Sequence, residues 1–231
     1  DGVPAVDPAV LADRIAAWQE RAGIDIQWVS RQDDWGRARF GLSMYASVLL
    51  YAAYFLAKVL LEDRESGVTQ RIAFSPVPPW RYLLENILAF FVPLLVSNAL
   101  VILLLRYGVG ALVPNLPLMT AAYFLYALVC VGCAVTVVTL CRGSMQANVL
   151  MAPLFTFFSM LGGLYWPLEF MPDFMRRLSM LTPPYWLLVA MDRIHAGGGM
   201  DEMLLPFGML LCFALVFFLI GSWNRLQPKI A

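Results

Sequence analysis

Thiol and imidazole side chains are the first candidates for chemistry in this sequence. Cys130 and Cys133 form a C-x-x-C pair, a spacing that can serve redox or metal chemistry, and His195 lies beside three glycines at 197–199. The cysteine pair falls inside a long apolar run, which favours small packing residues over a reactive pair. His195 has no Cys, His or carboxylate cluster at ligand spacing. We therefore predict no catalytic residue, no metal site and no disulfide framework.

The amino-acid composition indicates that much of this chain lies in lipid. Of its 231 residues, 61% are hydrophobic and 14% are charged, whereas soluble domains are about 45–50% apolar and about 25% charged. The sequence therefore predicts an all-α polytopic membrane protein. Sixteen basic residues balance sixteen acidic ones, so no field of one sign favours nucleic acid as a partner.

Apolar runs with charge-free centres predict five membrane-spanning helices. Each is close to the roughly 20 residues that cross about 30 Å of hydrocarbon, and together they are placed at about residues 40–61, 83–106, 118–141, 147–165 and 203–223. An odd number puts the two ends on opposite sides, and we expect a further span upstream of Asp1. The interiors of the spans contain no Asp, Glu, Lys or His, which argues against a proton relay. The notable polar groups, expected to bond across helices, are Asn98, Thr136, Thr139, Asn148 and Ser159.

The first 39 residues predict a small helix-strand element outside the membrane core. Asp7 and Pro8 suit the start of a helix, and the alternation of Ile24, Ile26 and Trp28 with polar neighbours predicts a half-buried strand. One helix and one strand cannot form a core alone. Their packing partners are expected upstream or in a second subunit.

A charged segment separates the first two predicted spans. An acidic and basic cluster at 62–65 precedes a short amphipathic pattern over about 65–74, which predicts a helix lying along the membrane surface. The prolines in the 76–79 corner cannot continue a helix and tie it stiffly to the next span. The residues alone leave two interpretations open, a force-transmitting helix or an ordinary solvated loop.

Two stretches resemble a known family. EDRESGVTQRIAFSPVPPWRYLLENILA, at 62–89, is similar to the coupling-helix signature of type-2 ATP-binding-cassette export permeases (ABC-2 permeases). In that family the ATPase subunit receives this helix. The resemblance implies that the residues in contact with the ATPase are Glu65, Ser66, Gly67, Thr69, Gln70 and Arg71.

The second stretch is GGLYWPLEFMPDFMRRLSMLTPPYWLLVAMDRI, at 162–194. It resembles the family segment that forms a re-entrant helical hairpin on the extracytoplasmic side, here expected at about 166–194. Irregular backbone at membrane depth must lie against protein or a water-lined cavity. The implied hairpin residues are Pro167, Glu169, Pro172, Arg176, Arg177, Pro183 and Pro184. We expect Glu169 to face Arg176, Arg177 or water.

The resemblance implies a permease subunit of an exporter in the cell membrane. Its ATP and Mg²⁺ would be bound by a separate ABC ATPase subunit, because this chain contains no G-x-x-x-x-G-K-[ST] phosphate loop, and a second permease subunit, identical or related, would complete the transport unit. Candidate substrates are lipid, glycan, peptide or drug-like. An anchor or assembly scaffold without transport is the alternative.

Sidedness comes from the resemblance, since Lys and Arg are balanced between the two faces. Residues 62–81, 142–145 and 225–231 are expected in the cytosol, and residues 1–39 and 169–203 outside.

Overall fold

The architecture is a set of helices. The computed structural model describes residues 26–67, 79–107, 115–141 and 143–223, together with Arg14 and Ala17. Within these residues the helices are α1 (Ile26–Glu65), α2 (Pro79–Tyr107), α3 (Leu116–Leu140), α4 (Ser144–Leu161), α5 (Asp173–Ser179), α6 (Pro183–His195) and α7 (Met200–Trp223), with a 3₁₀ turn at Leu168–Phe170. No β-strand occurs in the described part of the chain.

Helix α1 is longer than the first predicted span and corrects part of the sequence interpretation. It is a single helix of 40 residues, and it passes without a break through the boundary expected at residue 39. Ile26 and Trp28 lie in its first turn, so the predicted strand is wrong where it is described. An alternation of about five residues is a weak signal, and cooperative helical hydrogen bonding along the whole segment outweighs it. The predicted helix that precedes it lies outside the described residues.

Three described helices are long and apolar enough to cross a membrane: Leu116–Leu140, Ser144–Leu161 and Met200–Gly221. They coincide with the third, fourth and fifth predicted spans. A shorter apolar stretch, Phe91–Leu104, lies inside α2. The first two predicted spans fall within α1 and α2, and the count of five stays a prediction.

Helix α3 occupies the centre of the bundle. Of its apolar window, 67% is buried inside the protein, against 28% for α4 and 22% for α7. It packs most extensively against α7, then against α1, and it also contacts α2, α4 and α6. A helix that is apolar on all faces suits this position, because it has no side to present to water.

Small residues allow α3 and α7 to approach closely. A Cβ placed on Gly132 would lie 3.2 Å from the Phe217 Cβ, so glycine at this position keeps the two backbones near each other. The Thr136 hydroxyl lies 2.6 Å from the Phe217 carbonyl oxygen and 2.8 Å from the Gly132 carbonyl oxygen, and it can donate to either. This contact joins the two helices where lipid supplies no hydrogen-bonding partner.

Tyrosine hydroxyls connect α1 to three neighbouring helices. The Tyr45 hydroxyl lies 2.6 Å from Ser97 Oγ of α2, and the Tyr51 hydroxyl lies 2.7 Å from Thr156 Oγ1 of α4. Tyr54 donates to the Asn148 side-chain oxygen of α4. In return, the Tyr123 hydroxyl of α3 donates to the Leu42 carbonyl oxygen at 2.8 Å.

The polar groups singled out from the sequence differ in their hydrogen-bond partners. Thr136 and Asn148 bond across helices, as predicted. Thr139 donates within its own helix, to the Thr136 carbonyl oxygen. The side chains of Asn98 and Ser159 are buried, and their polar atoms have no hydrogen-bond partner in the structure.

Replacement of Gly132 by Leu is expected to destabilise the bundle. The new side chain must displace Phe217 at its Cβ and the ring of Phe218, and overpacking of this kind costs about 1–3 kcal/mol. Gly208→Leu is the control, because a Cβ at Gly208 meets nothing within 4 Å. Thermal unfolding of the detergent-purified variants measures the difference, and equal midpoints for the two would contradict the close α3–α7 contact.

Candidate functional site

Two polar clusters lie at opposite ends of α1. One is formed by Glu65, the last residue of α1, and the other surrounds Arg39. The two positions are about 39 Å apart along the helix at a rise of 1.5 Å per residue. This separation is close to the roughly 40–45 Å thickness of a bilayer with its headgroups, so the two clusters suit opposite membrane surfaces.

Glu65 joins the end of α1 to the beginning of α4. Its Oε1 accepts the backbone N–H of Ser144 at 2.6 Å, and its Oε2 accepts the Ser144 hydroxyl at 2.8 Å. Ser144 is the first residue of α4, whose N-cap position is Gly143. A carboxylate from another helix therefore satisfies a free N–H group at this helix N-terminus, where negative charge is favoured.

The glycine before α4 makes this contact possible. A Cβ on Gly143 would lie 2.9 Å from Glu65 Oε1, so a larger residue would push the carboxylate away. The two hydrogen bonds from Ser144, the backbone one first, lower the pKa of Glu65 below its usual range. The contact thus favours the ionised carboxylate.

The predicted ATPase-contact residues begin at this end of α1. Ser66 donates its backbone N–H to the Glu62 carbonyl oxygen at 2.9 Å, and Gly67 follows with φ +74°. Glycine adopts this left-handed conformation readily, and it commonly ends a helix. Thr69, Gln70 and Arg71 lie outside the described residues, so the coupling helix over 65–74 stays a prediction.

At the other end, α1 contacts α6 through two pairs of side chains. The Arg39 guanidinium donates from Nε to Asp192 Oδ1 at 2.7 Å and from Nη2 to Oδ2 at 3.1 Å. Trp35 stacks on His195 with ring centroids 4.0 Å apart and planes 2° from parallel. Residues four apart on α1 thus meet residues three apart on α6, the spacing at which side chains share one helix face.

The stacked imidazole is partly withdrawn from water. Burial lowers the pKa of His195, while the charge of Asp192 acts in the opposite direction. Its Nδ1 is buried and has no hydrogen-bond partner. Within the described residues, no group of three or more His, Cys, Asp or Glu side chains is arranged to hold a metal ion.

The segment predicted to form the hairpin contains two short helices, α5 and α6, between α4 and α7, and its re-entrant position stays a prediction. Its prolines stand at turns and helix starts: Pro167 precedes the 3₁₀ turn, Pro172 precedes α5, and Pro183 and Pro184 open α6. A Cβ on Gly162 would lie only 2.5 Å from the Pro184 Cβ. The start of α6 is therefore packed directly against the end of α4.

The charged residues of this segment at positions 169, 173, 176 and 177 are exposed. Arg176 lies 3.6 Å from Asp173, one turn away on α5, and both side chains are exposed. Arg177 is exposed as well. Glu169 is exposed to solvent, as expected, but it lines a cleft together with Arg39 and Asp192. The sequence offered no signal for this association, because Arg39 is far from Glu169 along the chain.

Comparison with known proteins shows what the chain is similar to. A family model described as "ABC-2 family transporter protein" matches residues 26–223. The chain is also 26% identical over 167 residues to the Linearmycin resistance permease protein LnrN of Bacillus subtilis (strain 168). This alignment covers 71% of the chain and 43% of the relative, so the chain spans less than half the length of that protein.

The Glu65 contact predicts a pH-dependent difference between wild type and Glu65→Gln. Because the folded-state pKa of Glu65 is lowered, its stabilisation is fully present above the unfolded carboxyl pKa, about 4.3, and is lost as pH falls through the folded value. The variant should unfold at a lower temperature at pH 7, and the gap should close below about pH 4.

Glu62→Gln is the control for this measurement, since Glu62 pairs only one turn away with Lys58, at 3.2 Å, an exposed arrangement that contributes little. A Glu65→Gln variant as stable as wild type at pH 7, or a gap that persists in acid, would contradict the assigned contact.

A double-mutant cycle should detect the Arg39–Asp192 pair. Arg39→Met and Asp192→Ala each remove both hydrogen bonds, and we expect a coupling free energy of about 1 kcal/mol because the pair is bidentate but partly exposed. The matched cycle on Lys58 and Glu62 should give about 0.3 kcal/mol. Unfolding in SDS monitored by tryptophan fluorescence provides the free energies, and additive effects of the Arg39 and Asp192 variants would argue against the pair.

Proposed function

Because this chain belongs to the ABC-2 family of transporter proteins, we propose that it is the membrane-spanning permease subunit of an ATP-driven exporter. The family match and the apolar helices α3, α4 and α7 make it an integral membrane protein. The observation that carries the proposal is the match over residues 26–223, which includes both ends of the bundle. Export of a solute is the direction that the resemblance of the two sequence stretches supports.

The energy for export comes from a separate subunit in this proposal. The chain has no phosphate-loop sequence, so ATP and Mg²⁺ are bound by an ABC ATPase that docks on residues 65–74. A second permease subunit, identical or related, completes the transport unit. Family membership supports the ATPase partner, and the position of residues 65–74 directly after α1 supports the docking segment.

The mechanism follows from the elements that flank this segment. Closure of the ATPase pair on ATP displaces residues 65–74, and Glu65 is bonded to the first residue of α4. Displacement of the segment therefore moves the end of α1 and the beginning of α4 together. On the other side, Pro79 is already the first residue of α2, so the proline corner passes the same motion to α2 with few soft dihedral angles between.

Helix α1 carries the motion to the opposite end of the bundle. It is continuous from Glu65 to Arg39, and at Arg39 it is held to α6 by the bidentate ion pair with Asp192. A rigid helix that is bonded at both ends can transmit a displacement from the ATPase side of the bundle to α6. Coupling of the two ends through α1 is part of this proposal.

The substrate class is proposed from the name of a relative. The similar protein from Bacillus subtilis is named as a linearmycin resistance permease. We propose that this chain likewise exports a drug-like compound, and lipid, glycan and peptide substrates are the alternatives.

Two variants of the docking segment test the proposed function. Arg71→Glu reverses a charge expected at the ATPase interface and should reduce co-purification of the ATPase subunit, because like charges at an interface are unfavourable. Pro78→Ala with Pro79→Ala softens the connection to α2 and should leave ATPase binding intact while export falls.

Arg177→Glu is the matched control, a charge reversal on the exposed hairpin that should not change ATPase binding. Normal ATPase association and normal export in both the Arg71 variant and the double proline variant would refute the coupling role.

A further inference from the structure

A cleft opens at the Arg39 end of α1. It lies between α1, the turn that follows α4, and α6, and its volume is about 420 Å³. Small-molecule sites commonly measure about 300–1,000 Å³. The residues that matter for what it could hold are three apolar ones, Phe40, Leu164 and Trp166, and three charged ones, Arg39, Glu169 and Asp192.

The three charged residues give this cleft a net negative charge. Arg39 is already bonded through two nitrogens to Asp192, so its charge is neutralised by a partner that holds it in place. Glu169 is exposed, and its charge also acts on the Arg39 guanidinium, so two carboxylates share one cation. The unbalanced charge is therefore the Glu169 carboxylate, which attracts a cation and repels an anion.

The apolar residues of the cleft, here called the apolar wall, favour a cation that carries an apolar group. Phe40 is 56% exposed and Trp166 is 38% exposed, although both are large aromatic side chains. Their rings lie at the end of α1 opposite Glu65, at the level where tryptophan commonly meets the membrane surface. A tryptophan ring also attracts a cation placed over its face. The same cleft thus offers an apolar surface and a carboxylate to one ligand.

We propose that this cleft binds amphipathic organic cations, with the apolar part against Phe40 and Trp166 and the cationic group toward Glu169. Binding requires neither ATP nor a partner subunit. The place of the cleft in transport, as a site that an exported cation occupies before it leaves, rests on the proposed function. A failure of ATPase docking would remove that role without changing the binding, so the two proposals fail separately.

The test uses two probes of the same shape and opposite charge. Tetraphenylphosphonium and tetraphenylborate are added to the purified full chain in maltoside micelles, and binding above that of empty micelles is measured by equilibrium dialysis. The phosphonium ion should bind more tightly than the borate. Glu169→Gln should weaken phosphonium binding about threefold, the effect of losing one partly solvated charge pair, and should not weaken borate binding.

Two further variants separate the charge from the apolar wall. Trp166→Ala should weaken both probes, because the ring contacts the part that they share. Asp173→Asn is the control, an exposed carboxylate of α5 outside the six residues named above, and it should change neither. Equal binding of the two probes, or phosphonium binding that is indifferent to Glu169→Gln, would overturn the proposal.

A last arm separates two sources of the cation. Phosphatidylethanolamine carries an ammonium headgroup and phosphatidylglycerol does not. Displacement of the phosphonium ion by the first lipid alone identifies a lipid headgroup as the natural occupant, whereas displacement by neither identifies a free solute. Displacement by both lipids equally would mean that the acyl chains alone are bound, which contradicts the assigned role of Glu169.

Discussion

The close contact between α3 and α7 is the constraint on which the bundle depends. In hydrocarbon, the burial of apolar side chains does not itself draw helices together, so association relies on close packing and hydrogen bonds. Gly132 supplies the close approach, and Thr136 supplies a hydrogen bond to the Phe217 carbonyl oxygen. With α7 fixed on one side, the remaining faces of α3 are free to receive α1, α2, α4 and α6. The positions of these five helices are therefore set relative to the central one.

Helix α1 connects the two ends of this bundle. Its middle is attached to α2 and α4 through tyrosine hydroxyls, and its ends carry the Glu65 contact and the Arg39 pair. Tyrosine suits such a helix, because its ring packs against apolar neighbours while its hydroxyl finds a specific partner. Polar bonds of this kind fix the rotation of a helix, which apolar packing alone fixes weakly. The two charged ends are therefore presented to α4 and α6 in a defined orientation.

The hairpin shows how a cleft forms beside a tightly packed turn. Gly162 and Gly163 bring Pro184 and the Leu168 side chain against the end of α4, and the chain then leaves in a 3₁₀ turn that carries Glu169 outward. The helix α6 returns along α1 and is held by the Trp35–His195 stack and the Arg39–Asp192 pair. Packing is thus close at the turn and open beside it, which leaves the space that Phe40, Trp166 and Glu169 border.

The sequence by itself determined the solvent, the helical class, the approximate positions of α3, α4 and α7 and the family, because each depends on composition or on patterns within about 30 adjacent residues. Only the tertiary structure decided that α1 already includes Ile26, that Glu65 bonds to Ser144, and that Glu169 shares a cleft with Arg39. These contacts join residues far apart in the chain, and their partners depend on the length and rotation of whole helices. Local patterns do not encode those quantities, since packing around α3 sets them.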